Sequence, residues 1–197
     1  MPTGIAIRDA REQLFTAAER VLFRAGPSGL TSRAVTAEAA VAKGVMHRHF
    51  SDFDGFLAEF AMDRIRVLEG EAARLRESAG TGTVIGNLTA VLADLFGSAV
   101  LPLIALILSR DELRNRLRQA GAGRVPVAAQ AAAMVASYLA AERDLGRIAA
   151  DADVETLGPM LVGTGHLQFA GREATPPEAA AIRRGVIAVI ASVLPDS

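Results

Sequence analysis

The amino-acid sequence predicts an all-α protein of about nine helices. Apolar residues recur at helical spacing along nearly the whole chain, and no segment alternates polar and apolar residues for long enough to predict a strand. Glycine and proline clusters separate the periodic segments, as expected of connections between helices. With 197 residues, of which 51% are hydrophobic, the chain can bury a sizeable core and is not expected to be disordered.

The first predicted helix presents one apolar face. Its members lie at positions i, i+4, i+7, i+8 and i+11, and they are Leu14, Ala18, Val21, Leu22 and Ala25. A break at Gly26 ends this helix. Thr31 or Ser32 can then cap a short helix over residues 33–39. A second short helix over residues 43–50 follows after a tight connection.

The middle of the chain contains a long helix, predicted from Asp54 to about Ser78, and a further helix from Val84 to Gly97. The longest apolar run of the sequence, at 99–108, predicts a buried core helix. At ten residues it is too short to span a membrane, which takes about 20 residues. Ser109 and Glu112 form a predicted capping box for the short charged helix that comes next.

The last part of the chain contains three longer predicted helices. The first covers residues 126–143 and starts on a proline, which suits a first helical turn. The second covers residues 153–171 with Asp153 as its cap, and Gly158 and Pro159 inside it predict a kink or a later start. The third begins at residues 175–177, a Thr-Pro-Pro sequence, and ends near residue 194.

The composition excludes several kinds of chemistry. The absence of cysteine excludes disulfides, thiolate zinc sites, iron–sulfur clusters and cysteine nucleophiles. His47 and His49 are two residues apart and point apart on a helix, so no metal site is predicted. No nucleophile elbow, phosphate loop or acid–base couple is present, so we expect neither an enzyme nor a cofactor. The first residues lack a secretory signal, and we expect a cytoplasmic protein.

Residues 30–50, LTSRAVTAEAAVAKGVMHRHF, have the size and layout of a helix-turn-helix. The second short helix offers cations and imidazoles that suit a major groove, and small residues that let backbone N–H groups approach a phosphate. Valine and phenylalanine side chains are expected to pack the two helices: Val35, Val41, Val45 and Phe50. The predicted DNA contacts are Thr31, Ser32, Arg33, Ala42, Lys43, Gly44, Val45, His47, Arg48 and His49. Many helical proteins contain such a hairpin, so the pattern alone leaves its role open.

Residues 11–57 resemble the N-terminal domain of the TetR family of bacterial transcriptional regulators. The matching stretches are AAERVLFRAG, LTSRAVTAEAAVAKGVMHRHF and the start of the next helix through Phe56 and Leu57. The resemblance implies a DNA-binding domain over residues 1–55 and a helical ligand-binding and dimerisation domain over residues 56–197. It implies a dimeric regulator, most simply a repressor, that binds a near-palindromic DNA operator and is released by a small-molecule effector.

Four positions depart from the family pattern. Ala40 replaces a turn glycine, and the turn is expected to be strained if it needs a positive φ. Ala42 replaces a capping Ser or Thr, His47 a Tyr, and Phe53 a Lys. Over residues 1–57, seven Lys and Arg face six Asp and Glu, which is a small excess for a DNA-binding domain. These departures favour an alternative reading, a helical small-molecule carrier or adaptor protein with little DNA affinity.

The C-terminal helices contain two isolated polar residues in apolar surroundings, Tyr138 and His166. Each is either a polar anchor of a ligand pocket or a hydrogen-bonded core residue. The further pocket candidates are Phe60, Arg64, Phe96, Leu103, Met134 and Phe169. The homodimer is expected to form through residues 153–171 and 177–194. Their small residues permit close helix approach, and they are Gly158, Gly163, Ala180, Ala181, Ala188 and Ala191.

Overall fold

A computed structural model describes residues 5–122, 126–169 and 178–195, without the side chains of residues 5–9, 168 and 169. Within these ranges the chain forms ten α-helices and one 3-10 turn and contains no strand, which confirms the predicted all-α class. The helices are α1 Ile5–Gly29, α2 Ser32–Glu38, α3 Gly44–His49, α4 Phe53–Glu77, α5 Val84–Phe96, α6 Val100–Ser109, α7 Asp111–Gln119, α8 Pro126–Asp144, α9 Val154–Phe169 and α10 Ala179–Ile190. The 3-10 turn Ala191–Val193 follows α10.

The chain divides into two compact units. The first, called here the N-terminal unit, comprises Met1–Asp63 and Pro102–Val125. The second, called the C-terminal unit, comprises Arg64–Leu101 and Pro126–Ser197. Helix α7 therefore packs in the same unit as α1, α2, α3 and the start of α4, although it is far from them in the sequence.

The ends of the first helices lie where local sequence signals place them. Helix α1 is interrupted at Gly26, whose backbone has a φ of 66° that glycine adopts without steric cost. Thr31 is the cap of α2, because its side-chain oxygen accepts a hydrogen bond of 3.1 Å from the Ala34 N–H. The predicted break after the first helix and the predicted cap at Thr31 are both confirmed.

The core of the N-terminal unit is built around four phenylalanine rings. Phe15 of α1 lies with its ring centre 5.9 Å from those of both Phe50 and Phe60. Phe50 and Phe56 meet edge to face at 5.0 Å. Such pairs contribute about 0.5–1.5 kcal/mol each beyond the area they bury. The cluster joins α1 and the end of α3 to the first turns of α4, so it sets the direction in which the chain leaves the helix-turn-helix.

In the C-terminal unit, glycines of α9 allow close packing. Gly158 lies against α8, where an added Cβ would stand 2.6 Å from the Ala132 carbonyl oxygen. Gly165 faces α5, where an added Cβ would overlap the ring of Phe96. Helix α10 covers α5 and α9 with the buried side chains of Ile182, Val186 and Ile190. The two buried glycines therefore allow α9 to pack closely against both α8 and α5.

One predicted capping motif is wrong. Ser109 is the last residue of α6, and its hydroxyl donates to the Leu106 carbonyl at 3.0 Å instead of capping α7. Serine in a final helical turn commonly bonds back to its own helix in this way. Glu112, the other half of the predicted capping box, accepts from Arg116 at 2.9 Å. Helix α7 begins after Arg110, whose side chain makes no capping hydrogen bond.

The predicted cap of the next long helix is confirmed. Asp153 caps α9 by accepting from the Thr156 N–H at 3.1 Å. Of the two effects predicted for Gly158 and Pro159, a kink or a later start, the later start does not occur, since α9 begins at Val154 and contains the proline. Proline has no N–H to donate to the carbonyl of Glu155, four residues earlier. Glu155 is exposed in the first turn, so water can bond to that carbonyl instead. The predicted start of the last helix, at residues 175–177, lies outside the described residues.

The described residues contain no single helix that is both long and apolar enough to cross a membrane. Helices α5 and α6 meet that criterion only as a pair, and the two are bent by 53° at their junction.

Candidate nucleic-acid interface and ligand site

The turn of the helix-turn-helix is closed by a complete set of backbone hydrogen bonds. The Val41 N–H donates to the Thr36 carbonyl at 3.0 Å, and the Ala40 N–H donates to the Ala37 carbonyl at 3.1 Å. This pair of bonds defines a Schellman motif, whose left-handed residue is usually glycine. Here that residue is Ala40, with a φ of 53°. The turn therefore does need a positive φ, the case in which strain was expected. The Cβ of Ala40 is sterically disfavoured in this conformation.

Between α2 and α3 the packing centres on Met46, which sequence reasoning missed. Met46 and Val35 are almost fully buried, whereas the predicted packing residues Val41 and Val45 are only half-buried. The Ser32 hydroxyl donates to the Met46 sulfur at 3.1 Å. Met46 and Phe50 are four residues apart, and this spacing in the sequence predicts that they share a buried face of α3.

The opposite face of this hairpin is open to solvent and carries most of the predicted DNA contacts. The exposed members are Thr31, Arg33, Ala42, Lys43, Gly44, His47 and Arg48. Ser32, Val45 and His49 are half-buried. Helix α3 starts without a side-chain cap, as the alanine at position 42 predicts. Its last turn carries His47, Arg48 and His49, and cationic groups there interact favourably with the helix dipole.

The end of α3 is held by Arg11 of α1, another residue that sequence reasoning missed. Its guanidinium donates to the His49 carbonyl at 3.2 Å and lies 4.6 Å above the ring of Phe50. It also pairs with Glu59 of α4. Three helices thus share one guanidinium, which orients α3 within the unit.

The acidic residues after α3 are paired with arginines of the α7 region. Asp52 accepts from both Nη1 and Nη2 of Arg116, at 2.8 and 2.9 Å. Asp54 accepts from Arg110 at 2.7 Å, and the Arg110 guanidinium lies 5.9 Å from the ring centre of Phe53. The hydrogen bonds from Arg116 lower the pKa of Asp52, and they raise the pKa of Arg116. Two carboxylates that follow α3 are therefore balanced by two guanidinium groups.

The C-terminal unit contains a buried polar cluster around Glu142. Glu142 is fully buried and accepts from the Tyr138 hydroxyl at 2.5 Å, from the Gly80 N–H at 3.3 Å, and from Arg147. Asn87 donates to the Tyr138 oxygen at 3.0 Å. Burial, with the hydrogen bond to Glu142, raises the pKa of Tyr138 well above its usual range. These contacts favour reading Tyr138 as a hydrogen-bonded core residue.

The other pocket candidates are spread over both units. Phe60 and Leu103 are fully buried in the N-terminal unit, Phe60 within its aromatic core. Arg64 and Met134 belong to the C-terminal unit, and the side chain of Phe169 lies outside the described residues. The sequence-predicted ligand residues thus belong to two different units of the described chain.

A small cavity of about 10 Å³ does occur in the C-terminal unit, between α5, α9 and α10. Its lining comprises Leu92, Phe96, Leu161, Thr164, Gly165, Ile182, Gly185 and Val186. Among the pocket candidates, Phe96 contributes to this wall. On the same helix as Thr164 and Gly165, the Nδ1 atom of His166 is buried without a hydrogen-bond partner among the described residues. A water or a ligand commonly satisfies such an atom.

Residues 14–60 match the family model of the bacterial regulatory proteins of the tetR family. The match covers α2, α3, most of α1 and the first turns of α4, which are the elements that form the open face and its support. The helix-turn-helix region of the chain is therefore similar to that of the tetR family. No curated protein matches the full sequence significantly.

Solved structures share the TetR-like fold over nearly the whole chain. Reduced NemR of Escherichia coli has a TM-score of 0.70 at 15% identity, covering 96% of this chain and 100% of its own. A regulator from Saccharomonospora viridis in complex with choline has a TM-score of 0.67 at 12% identity, covering 96% and 100%. FadR of Bacillus subtilis in complex with stearoyl-CoA has a TM-score of 0.59 at 16% identity, covering 92% and 98%. At these identities the likeness establishes the fold.

The departures from the TetR pattern have structural consequences here. Ala40 keeps the left-handed turn despite its Cβ. Phe53, at the position of the family's lysine, stacks on Phe56 with ring centres 5.7 Å apart. Arg110 and Arg116, which lie far away in the sequence, are paired with Asp54 and Asp52 on either side of that position.

Proposed function

We propose that this chain is a dimeric, ligand-responsive transcriptional repressor whose residues 1–55 bind a near-palindromic DNA operator. The observation that carries the proposal is the solvent-exposed face of the helix-turn-helix, where Lys43 directly precedes α3 and His47 and Arg48 lie on it, all three exposed. A short helix with exposed cations and imidazoles fits the major groove, and two such helices related by a dimer axis read two half-sites. The protein is then a DNA-binding regulator of the cytoplasm and not an enzyme.

The outer face of α9 supports a homodimer through residues 153–171 and 177–194. Met160 is 47% exposed and Leu167 is 83% exposed, while an added Cβ at Gly163 would meet nothing within 4 Å. On α10 the small residues Ala180 and Ala188 are also exposed. Apolar and small side chains on adjacent helices favour burial against a second copy. Gly158 does not contribute to this face, because it packs on α8 within the chain.

Residues 56–197 are proposed to bind the small-molecule effector. The complexes of two structural neighbours with stearoyl-CoA and with choline make a small-molecule effector reasonable for this chain. The cavity between α5, α9 and α10 is about 10 Å³, which is room for about one water. Effector binding here therefore requires the site to open. An effector that prefers the open state weakens operator binding by at most its differential affinity for the two states.

Duplex binding tests the proposal, measured by fluorescence anisotropy at several salt concentrations. The probes are the intergenic DNA beside the protein's own gene and a scrambled duplex. Lys43→Ala is expected to weaken specific binding by about tenfold, the loss of roughly one good contact. Arg76→Ala, which removes an exposed cation from α4 in the C-terminal unit, is the matched control and is expected to change little.

Three outcomes decide between the readings. Tight binding of two protomers to the native DNA alone supports the regulator. Equal and steeply salt-dependent binding to both probes supports a DNA-binding surface whose operator lies elsewhere. A folded protein that binds neither probe at low salt overturns the proposal and supports the carrier or adaptor reading.

A further inference from the structure

Two arginines hold the first turn of α4, and both come from the region of α7. Arg116 makes a two-pronged contact with both carboxylate oxygens of Asp52, and its Nε donates to Glu112 at 2.9 Å. Arg110 donates to Asp54 through both Nε and Nη2, at 3.0 and 2.7 Å. Paired contacts of this kind fix orientation as well as distance, because a planar guanidinium matches a carboxylate in only a few arrangements.

Asp52 is also the residue that starts α4. Its Oδ1 accepts from the Gly55 N–H at 2.8 Å, and its carbonyl accepts from the Phe56 N–H at 3.0 Å. It follows Phe50, the residue that closes α3, after a single intervening serine. One residue, Asp52, therefore caps α4, bonds to α7 and lies two positions after the end of α3 at Phe50.

Gly55 provides the room for this arrangement. An added Cβ at this position would stand 3.0 Å from Nη1 of Arg116 and 2.7 Å from the Ser51 hydroxyl. A side chain there would require the Ser51 hydroxyl and the Arg116 guanidinium to shift. Gly55 lies inside a helix, so it is the room for these two side chains, and not its own backbone conformation, that favours a glycine here.

We propose that Arg116 is a positioning residue for DNA binding, which acts through Asp52 on the placement of α3. The inference rests on the proposed function. The Arg116–Asp52 pair holds the start of α4 where α3 ends, and it also neutralises a carboxylate that would otherwise repel the phosphates of a bound duplex. The α7 segment thereby takes part in DNA binding through the placement of α3.

A matched pair of variants on one helix tests the inference. Arg116→Gln removes the pair. Arg118→Gln removes the same charge from a side chain whose hydrogen bond among the described residues stays within α7, to Asn115. Arg116→Gln is expected to weaken duplex binding by about five- to tenfold, and Arg118→Gln by less than about twofold. Equal losses of duplex affinity in the two variants would show that only the net charge of the protein matters, and would overturn the inference.

A double-mutant cycle with Asp52→Asn identifies the path of the effect. Asparagine keeps the cap of α4 and removes the charge. In the Asp52→Asn background, Arg116→Gln is expected to cost little further affinity, because the charge that it balances is gone. Fully additive losses would contradict action through Asp52. The slope of affinity against salt is expected to stay unchanged in Arg116→Gln, whereas loss of a direct phosphate contact would reduce it by about one.

Amide hydrogen exchange provides a readout that does not depend on DNA. Arg116→Gln is expected to speed exchange of the amides from Gly44 to Phe56, and Arg118→Gln is expected to leave them as in the parent protein. If the parent chain binds no duplex, the proposed function fails while this measurement still tests the positioning role. Unchanged exchange in Arg116→Gln would overturn the inference in either case.

Discussion

At the scale of single residues, Ala40 carries an identifiable local strain. It holds the left-handed position of the Schellman motif between α2 and α3 with a φ of 53°. For an L-residue with a Cβ, this conformation is about 1–2 kcal/mol less stable than the right-handed one. The surrounding hydrogen bonds, from Ala40 to Ala37 and from Val41 to Thr36, hold it there. The turn therefore keeps its geometry at some expense of stability.

Ala40→Gly is expected to stabilise the protein by about 0.5–1 kcal/mol, because the relief of strain exceeds the extra entropy of glycine in the unfolded chain. Urea unfolding followed by circular dichroism measures the change. Ala37→Gly, inside α2 and exposed, is the matched control and is expected to destabilise by about the usual helix cost of 1 kcal/mol. Destabilisation by Ala40→Gly would show that the turn does not need the left-handed conformation.

At the scale of elements, the cluster around Glu142 ties the end of α8 to the loop between α4 and α5. The Gly80 N–H bonds to Glu142, and Arg147 bonds to the Gly82 carbonyl at 2.6 Å. A fully buried carboxylate is stable only when its oxygens are paired. Removing one donor therefore costs more than an ordinary surface hydrogen bond.

Tyr138→Phe is expected to destabilise by about 1–3 kcal/mol, because it leaves a buried acceptor without its closest donor. The raised pKa of Tyr138 also sets a pH dependence. Since the folded state holds the phenolic proton more tightly than the unfolded state, this stabilisation is present below about pH 10 and is lost as the pH rises above it.

The chain has one tyrosine and no tryptophan, so the absorbance of tyrosinate reports Tyr138 alone. We expect the native protein to form tyrosinate only together with unfolding at alkaline pH. In urea the same group is expected to titrate near its ordinary pKa of about 10. Titration of the native protein near pH 10, with the fold intact, would contradict the buried cluster.

Also at the element scale, the structure separates two glycines of α9 that look equivalent in the sequence. Gly158 faces α8, and an added Cβ would stand 2.6 Å from a backbone oxygen. Gly163 faces open space. Helical periodicity places both on the same helix, but only the position of α8 determines which face is covered within the chain.

At the scale of the whole molecule, the proposed dimer makes stability and DNA binding depend on protein concentration. Leu167→Glu places a charge on the outer face of α9, where the parent side chain is 83% exposed. It is expected to shift the protein from dimer to monomer without unfolding it, and to weaken operator binding in parallel. Sedimentation velocity and anisotropy measure the two effects.

Leu145→Glu is the control for that substitution, because Leu145 is 57% exposed and lies after α8, outside the proposed interface. It is expected to leave the dimer intact. A monomeric parent protein, or a Leu167→Glu variant that stays dimeric, would show that the exposed face of α9 is not the interface.

The sequence by itself determined the all-α class, most helix ends and the location of the helix-turn-helix, because these depend on neighbours a few residues apart. Thr31, Asp153 and Ala40 act through groups within five residues, so their roles were predictable. Where a local motif had two solutions, as at Ser109 and Glu112, the sequence prediction was wrong.

Only the tertiary structure decided how distant residues meet. Arg116 and Asp52 are 64 positions apart, and Arg11 and His49 are 38 apart, so no spacing rule connects them. The charged residues near α3 can be counted in the sequence. Which of the carboxylates are paired with arginines cannot be read from it. That balance depends on the placement of α7 beside the start of α4, which results from the packing of a whole unit and not from any local pattern.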